Sequence, residues 1–190
     1  MEDIQLEKDG DEVVSPFQAA VKAGVVVGLV SLVIYYVAYF IDVEILSSAW
    51  LGFAMLAISL ALVIYFGIDY RKDQGGYMSF GVAFQFVFFT FIISGLITTL
   101  GNILLFQVID PALPGVLADA QLESTIALMD SFGAGNQITS DQMAEMRTGF
   151  EESRSLMGLI KAFGISLVIY AILALILGAI IKRRDKSLDY

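Results

Sequence analysis

Carboxylates are the most numerous residues in this chain that could do chemistry, and eight of them lie between Asp110 and Lys161. At about 100° per residue on a helical wheel, Asp141, Glu145 and Glu152 fall on one side with Thr148. Met143, Met146, Phe150, Met157 and Ile160 fall on the other. A carboxylate stripe offers hard oxygen ligands of the kind that hold a divalent cation. A charged face opposite an apolar one is also simply the wet side of an amphipathic helix, and that reading is preferred. The apolar stripe has two readings as well: packing against the preceding helix, which is favoured, or an adaptable interaction surface at Met143, Met146, Phe150 and Met157.

Other chemistries are excluded by residue type. The chain has no Cys and no His, which removes disulfides, thiol nucleophiles, imidazole acid–base catalysis and zinc sites of the usual ligand sets. The net charge of −9, with 20 acidic against 11 basic residues, argues against a nucleic-acid partner. No catalytic residue, cofactor site or metal site is expected.

The apolar segments carry smaller signals. Ala20, Gly24 and Gly28 repeat at four-residue intervals, as do Ala174 and Gly178, which flattens a helix face for close approach. Gly95, Thr98, Thr99 and Asn102 share a face of another segment, read first as packing and second as a polar lining for a small solute. Apart from Lys22 near one end, no charged residue lies inside an apolar segment, although proton relays and coupled transporters normally place ionisable groups there.

The elements that hold these residues follow from hydropathy. With 57% hydrophobic and 16% charged residues, the chain exceeds what a water-soluble domain can hide. The expected fold is all-α: an integral membrane four-helix bundle with an extracytoplasmic helical hairpin between spans 3 and 4. Residues 1–15 form a disordered acidic tail. Ser15, Pro16 and Gln18 then give the N-cap, first-turn proline and capping-box residue of a helix.

Span 1 covers 16–41, with 19 uncharged residues from Ala23 to Ile41. Span 2 covers 45–68, close enough to span 1 to make a tight hairpin through Asp42 to Glu44. A cytoplasmic turn occupies 69–76. The 33 uncharged residues of 77–109 exceed one bilayer crossing, so Tyr77 to Phe84 is expected to lie at the interface and Gln85 to Gln107 to cross. Asp110-Pro111 stops that helix.

Residues 110–161 form the acidic hairpin, with helices over 114–132 and from a Thr139 N-cap, the second running on toward span 4. A break is read at 133–137. Span 4 is 162–181, followed by a basic tail, 182–190. Arg71, Lys72, Lys182, Arg183, Arg184 and Lys186 are the topology determinants: with both termini cytoplasmic, eight basic residues lie inside against three in the long loop, as the positive-inside bias requires.

The run Gly75-Gly76-Tyr77-Met78-Ser79-Phe80-Gly81-Val82-Ala83-Phe84, with Ile109-Asp110-Pro111 closing the segment and Ile181-Lys182-Arg183-Arg184 near the end, resembles the bacterial membrane protein family called domain of unknown function 4199. The resemblance covers about Ser15 to Lys186. It implies four spans, an acidic loop before the last, a basic C-terminal end and residence in a bacterial inner membrane. It carries over no catalytic residue. The function expected is a non-enzymatic accessory or interaction protein of the cell envelope. Its partners would be the lipid bilayer and either other envelope membrane proteins or further copies of itself. An oligomeric small-solute transporter or channel is the alternative.

Overall fold

A computed structural model describes residues 14–133 and 138–184. Most of the acidic tail, part of the break at 133–137, Lys186 and the end of the basic tail lie outside the described residues. The regular elements of the described residues are all helices, and four of them are long and apolar enough to cross a membrane.

Helix α1 (Pro16–Ile41) begins where its cap demands. The Ser15 hydroxyl accepts from the Gln18 amide at 3.2 Å, and the Gln18 side chain accepts from the Ser15 amide at 3.0 Å. These bonds satisfy two donors that every helix start leaves open. The chain then makes a short helix α2 (Val43–Ser47), entered through Asp42, whose carboxylate accepts from the Glu44 amide at 2.9 Å. The connection is therefore longer than a tight hairpin through Asp42 to Glu44. It takes this form because Val43 and Leu46 have apolar neighbours to cover, described below.

Helix α3 (Ala49–Asp73) starts four residues later than the sequence reading and carries its charged end, Asp69 to Asp73, as helix. The turn after it uses Gly75 (φ 80°) and Gly76 (φ 88°), backbone that side-chain-bearing residues rarely adopt.

Helix α4 (Phe80–Leu104) is capped by Ser79. It passes directly into a π-helical turn, Leu105–Ile109, so helix runs unbroken over 30 residues. Of the Tyr77 to Phe84 segment expected at the interface, Phe80 to Phe84 form the first turn of α4. Tyr77 to Ser79 are non-helical, and Met78 instead pairs with Arg183. Asp110, non-helical ahead of Pro111, ends the segment.

Helices α5 (Leu113–Ser131) and α6 (Ser140–Glu152) form the hairpin, α6 beginning in a capping box between Thr139 and Gln142. Helix α6 does not continue into the last span: Ser155 caps a new helix, α7 (Leu156–Ile181). At Gly158 the chain doubles back so closely that a Cβ would collide with the backbone of Glu152 and Ser153. The missing side chain is what permits the break.

Helix α4 is the centre of the bundle. Its buried positions Ala83, Phe86, Val87, Thr90, Phe91, Ser94 and Gly95 recur every three or four residues, one stripe wide enough to meet α1 on one side and α7 on the other. Phe86 is 1% exposed and stacks on Tyr70 of α3 with ring centroids 5.3 Å apart. Phe91 stacks on Tyr170 of α7 at 5.5 Å.

Candidate functional site

Among apolar surroundings, water does not drive helices together, so close backbone approach has to hold them. The small residues read from the sequence sit where that approach occurs. Ala20, Gly24 and Gly28 are buried on α1, and a Cβ added at Gly24 would stand 2.8 Å from both Ile93 Cβ and the Thr90 carbonyl of α4. At Gly28 it would meet Ile97 Cβ at 2.9 Å. Gly95 faces the Tyr170 ring of α7, while Ala174 and Gly178 are buried on α7, the latter against the Phe84 backbone at 3.2 Å.

The polar half of that set behaves differently. Thr98 donates to the carbonyls of Ser94 and Gly95 in its own helix, both at 3.1 Å. Thr98, Thr99 and Asn102 are half-buried. The buried hydroxyls of Ser31 and Thr90 likewise return to their own helices, at Val27 and Phe86. The Thr98, Ser31 and Thr90 hydroxyls are thus satisfied within single helices. Gly67, against Ile181, and Gly101, against Leu32, make equally close contacts. Both were missed because neither belongs to a small-residue repeat.

At the α5–α6 end, a second core of Leu105, Phe106, Leu113 and Leu117 is closed over by Tyr35, Tyr36, Tyr39, Val43, Leu46 and Leu159. The π-helical turn brings the consecutive residues Leu105 and Phe106 into this one cluster. Asp110 is its polar pin. One carboxylate oxygen accepts from the Ala112 and Leu113 amides at 3.2 Å, and the other from the Tyr39 hydroxyl at 3.2 Å. Tyr36 donates to the Gly101 carbonyl at 2.8 Å. The sequence marked Asp110 only as a helix stop.

The hairpin is closed by arginines. Arg147 grips Asp119 through two guanidinium nitrogens and reaches Glu151 at 3.0 Å. The Arg147 hydrogen bonds hold the Asp119 carboxyl below the usual carboxylate range, and Asp119 pushes Arg147 further up. Both side chains are substantially exposed, so solvent screens the pair. Arg154 is half-buried, and burial lowers its pKa. It donates to the Phe150 carbonyl and the Gln121 side chain, each at 2.7 Å, while its own carbonyl accepts from Gln107 at 3.4 Å. One residue therefore ties α5, the end of α6 and the π-helical turn together.

Met143, Met146 and Phe150 lie half-buried on α6. Met143 and Phe150 flank Arg147 at helical spacing, on the face turned toward α5. The break after Glu152 removes Met157 and Ile160 from that stripe: they belong to α7 and are 58% and 50% exposed. No group of three or more carboxylates among the described residues could hold a metal ion.

The opposite end gathers the basic residues. The Arg71 guanidinium donates to the Ile181 carbonyl at 2.8 Å, closing the end of α7. Tyr70 and Gln74 both donate to the Val14 carbonyl, at 2.9 and 3.1 Å, which seats the start of α1 beside the end of α3. Met78 and Arg183 exchange backbone hydrogen bonds of 2.9 and 3.0 Å, joining the approach to α4 to the exit from α7. Lys72 is exposed on the last turn of α3. Arg184 is exposed beyond α7.

The segment that enters α4 and the one that leaves α7 are two of the three that carry the resemblance, and here they are paired in space. A family model described as "Protein of unknown function (DUF4199)" matches residues 22–183. The chain belongs to the DUF4199 family. The match runs from the first turns of α1 to the Met78–Arg183 pairing and takes in both the spans and the hairpin. No curated protein and no solved structure matches the chain.

Proposed function

We propose that this DUF4199 protein is a non-enzymatic accessory component of a bacterial inner membrane, with both termini cytoplasmic and the α5–α6 hairpin presented outside to other envelope proteins. The observation that carries the reading is the way the hairpin is built. It is anchored on the second apolar core through Leu113 and Leu117, and the Asp119–Arg147 pair joins α5 to α6. A segment held this firmly at one end of a bundle is suited to being recognised as a fixed shape.

The orientation is supported by charge. Arg71, Lys72, Lys182, Arg183 and Arg184 lie at the end opposite the hairpin, and an excess of basic residues beside the spans marks the cytoplasmic side. The inward-facing small residues Gly24, Gly28, Gly95 and Gly178 are occupied within one chain, which leaves the hairpin as the organised surface for association.

The test compares full-length protein with a variant in which residues 113–152 are replaced by a short Gly/Ser linker, both cross-linked in native membranes and purified with their neighbours. The expected result is a defined set of envelope proteins retained by the full chain and lost from the variant. Identical sets from the two would contradict the proposal.

A further inference from the structure

The basic end holds a cleft of about 390 Å³ lined by Met78, Ser79, Phe80, Lys182 and Arg184. Three features fix its form. The Met78–Arg183 backbone pairing holds the strand-like exit of α7 against the entry to α4. The Lys182 ammonium stands 5.6 Å from the centroid of the Phe80 ring, which orients it from below by the cation–π attraction. Next to it, the Arg183 guanidinium lies 5.9 Å from the Tyr77 ring. Neither contact uses up the hydrogen-bond donors of the cation. Among the described residues, no carboxylate forms an ion pair with Lys182 or Arg184.

The cleft is thus lined by two cations, Lys182 and Arg184, together with the apolar side chains of Met78 and Phe80. It lies at the end of α7, where Ile180 is exposed one turn short of Arg184. Ser79 is also the cap of the 25-residue helix α4, its hydroxyl accepting from the Val82 amide at 3.4 Å. A basic recess at the ends of two helices apolar enough to cross a membrane, with Met78 and Phe80 in its lining, matches an anion that carries its own hydrocarbon. A free anion has no use for the apolar lining.

We propose that this cleft binds the phosphodiester headgroup of an anionic phospholipid, with Lys182 and Arg184 on the phosphate and the glycerol and first acyl carbons against Met78 and Phe80. Which leaflet supplies the lipid follows from the orientation given under the proposed function. Binding itself does not depend on that orientation, nor on any partner of the hairpin.

The full chain in detergent is titrated with phosphatidylglycerol or phosphatidylcholine, and lipid retained on the intact particle is read by native mass spectrometry. The wild type is expected to retain phosphatidylglycerol in preference to phosphatidylcholine. K182Q/R184Q is expected to weaken that retention by roughly fivefold for each basic residue removed. The charge-keeping K182R/R184K and the hairpin-end control Lys161→Gln should both hold the lipid. Equal retention of the two lipids by the wild type, or an unchanged affinity for phosphatidylglycerol in a folded K182Q/R184Q, would overturn the proposal. Displacement of the lipid by millimolar inorganic phosphate would also overturn it, and would assign the cleft to a free phosphate.

Discussion

Gly24→Leu lowers the thermal midpoint of the detergent-solubilised protein by roughly 5–10 °C, on an overpacking cost of about 1–3 kcal/mol and a few degrees per kcal/mol for a chain of this size. The added Cβ alone would stand 2.8 Å from Ile93 Cβ and from the Thr90 carbonyl. The second of these is backbone of the central helix and cannot rotate away, so α1 must move off α4. That contact runs the length of both helices: Gly28 meets Ile97 and Gly101 meets Leu32 on the same interface. Gly52→Leu is the matched control, because a Cβ there meets nothing within 4 Å. Scanning fluorimetry on the single Trp follows both variants. Equal midpoints for Gly24→Leu and Gly52→Leu would show that the small-residue stripe does not hold these helices together.

The second large effect is local. Leu113 and Leu117 are each 1% exposed in the core that fixes the hairpin to the bundle. Replacing a buried Leu by Ala costs about 2–5 kcal/mol. Little of this cost reaches the spans, because the central core built on Phe86, Val87 and Ala174 is a separate cluster. Leu113→Ala with Leu117→Ala is therefore expected to speed amide exchange in α5 and α6 by tenfold or more while α4 stays protected near Thr90, local opening being the cheaper path. Unchanged exchange in α5, or equal loss of protection in α4, would contradict the separation of the two cores.

Much of this architecture is legible in the sequence because its signals are local. Ser15 with Gln18 and Thr139 with Gln142 announce helix starts through bonds three residues apart, and both capping boxes form. The four apolar stretches are long enough that hydropathy alone finds them. What was not legible depends on contacts distant in sequence. Helix α2 exists because Val43 and Leu46 meet a core supplied by residues about 60 to 70 positions on. The pairing of Met78 with Arg183 joins residues more than half the chain apart, and nothing near Tyr77 foretells it.

The wheel that placed Met157 with Met143 assumed a continuous helix. Three residues, Ser153 to Ser155, with a glycine at 158 that tolerates the crowding, were enough to separate them. For the candidate site, the small-residue repeats lie on buried faces of α1 and α7, and their signal is legible because it is periodic. Asp110 and Arg154 carry no such signal: their importance comes from Tyr39, Gln121 and Gln107, which only the fold brings near.

In the orientation proposed, the hairpin and the basic end lie on opposite sides of the membrane, with the hairpin outside. A chain without cysteine makes this directly measurable. Ser140→Cys on the exposed start of α6 and Asp73→Cys at the exposed end of α3 are each treated, in intact spheroplasts, with a membrane-impermeant maleimide. Ser140→Cys is expected to label at once and Asp73→Cys only after the membrane is opened. The reverse pattern, or labelling of both positions from outside, would contradict that orientation.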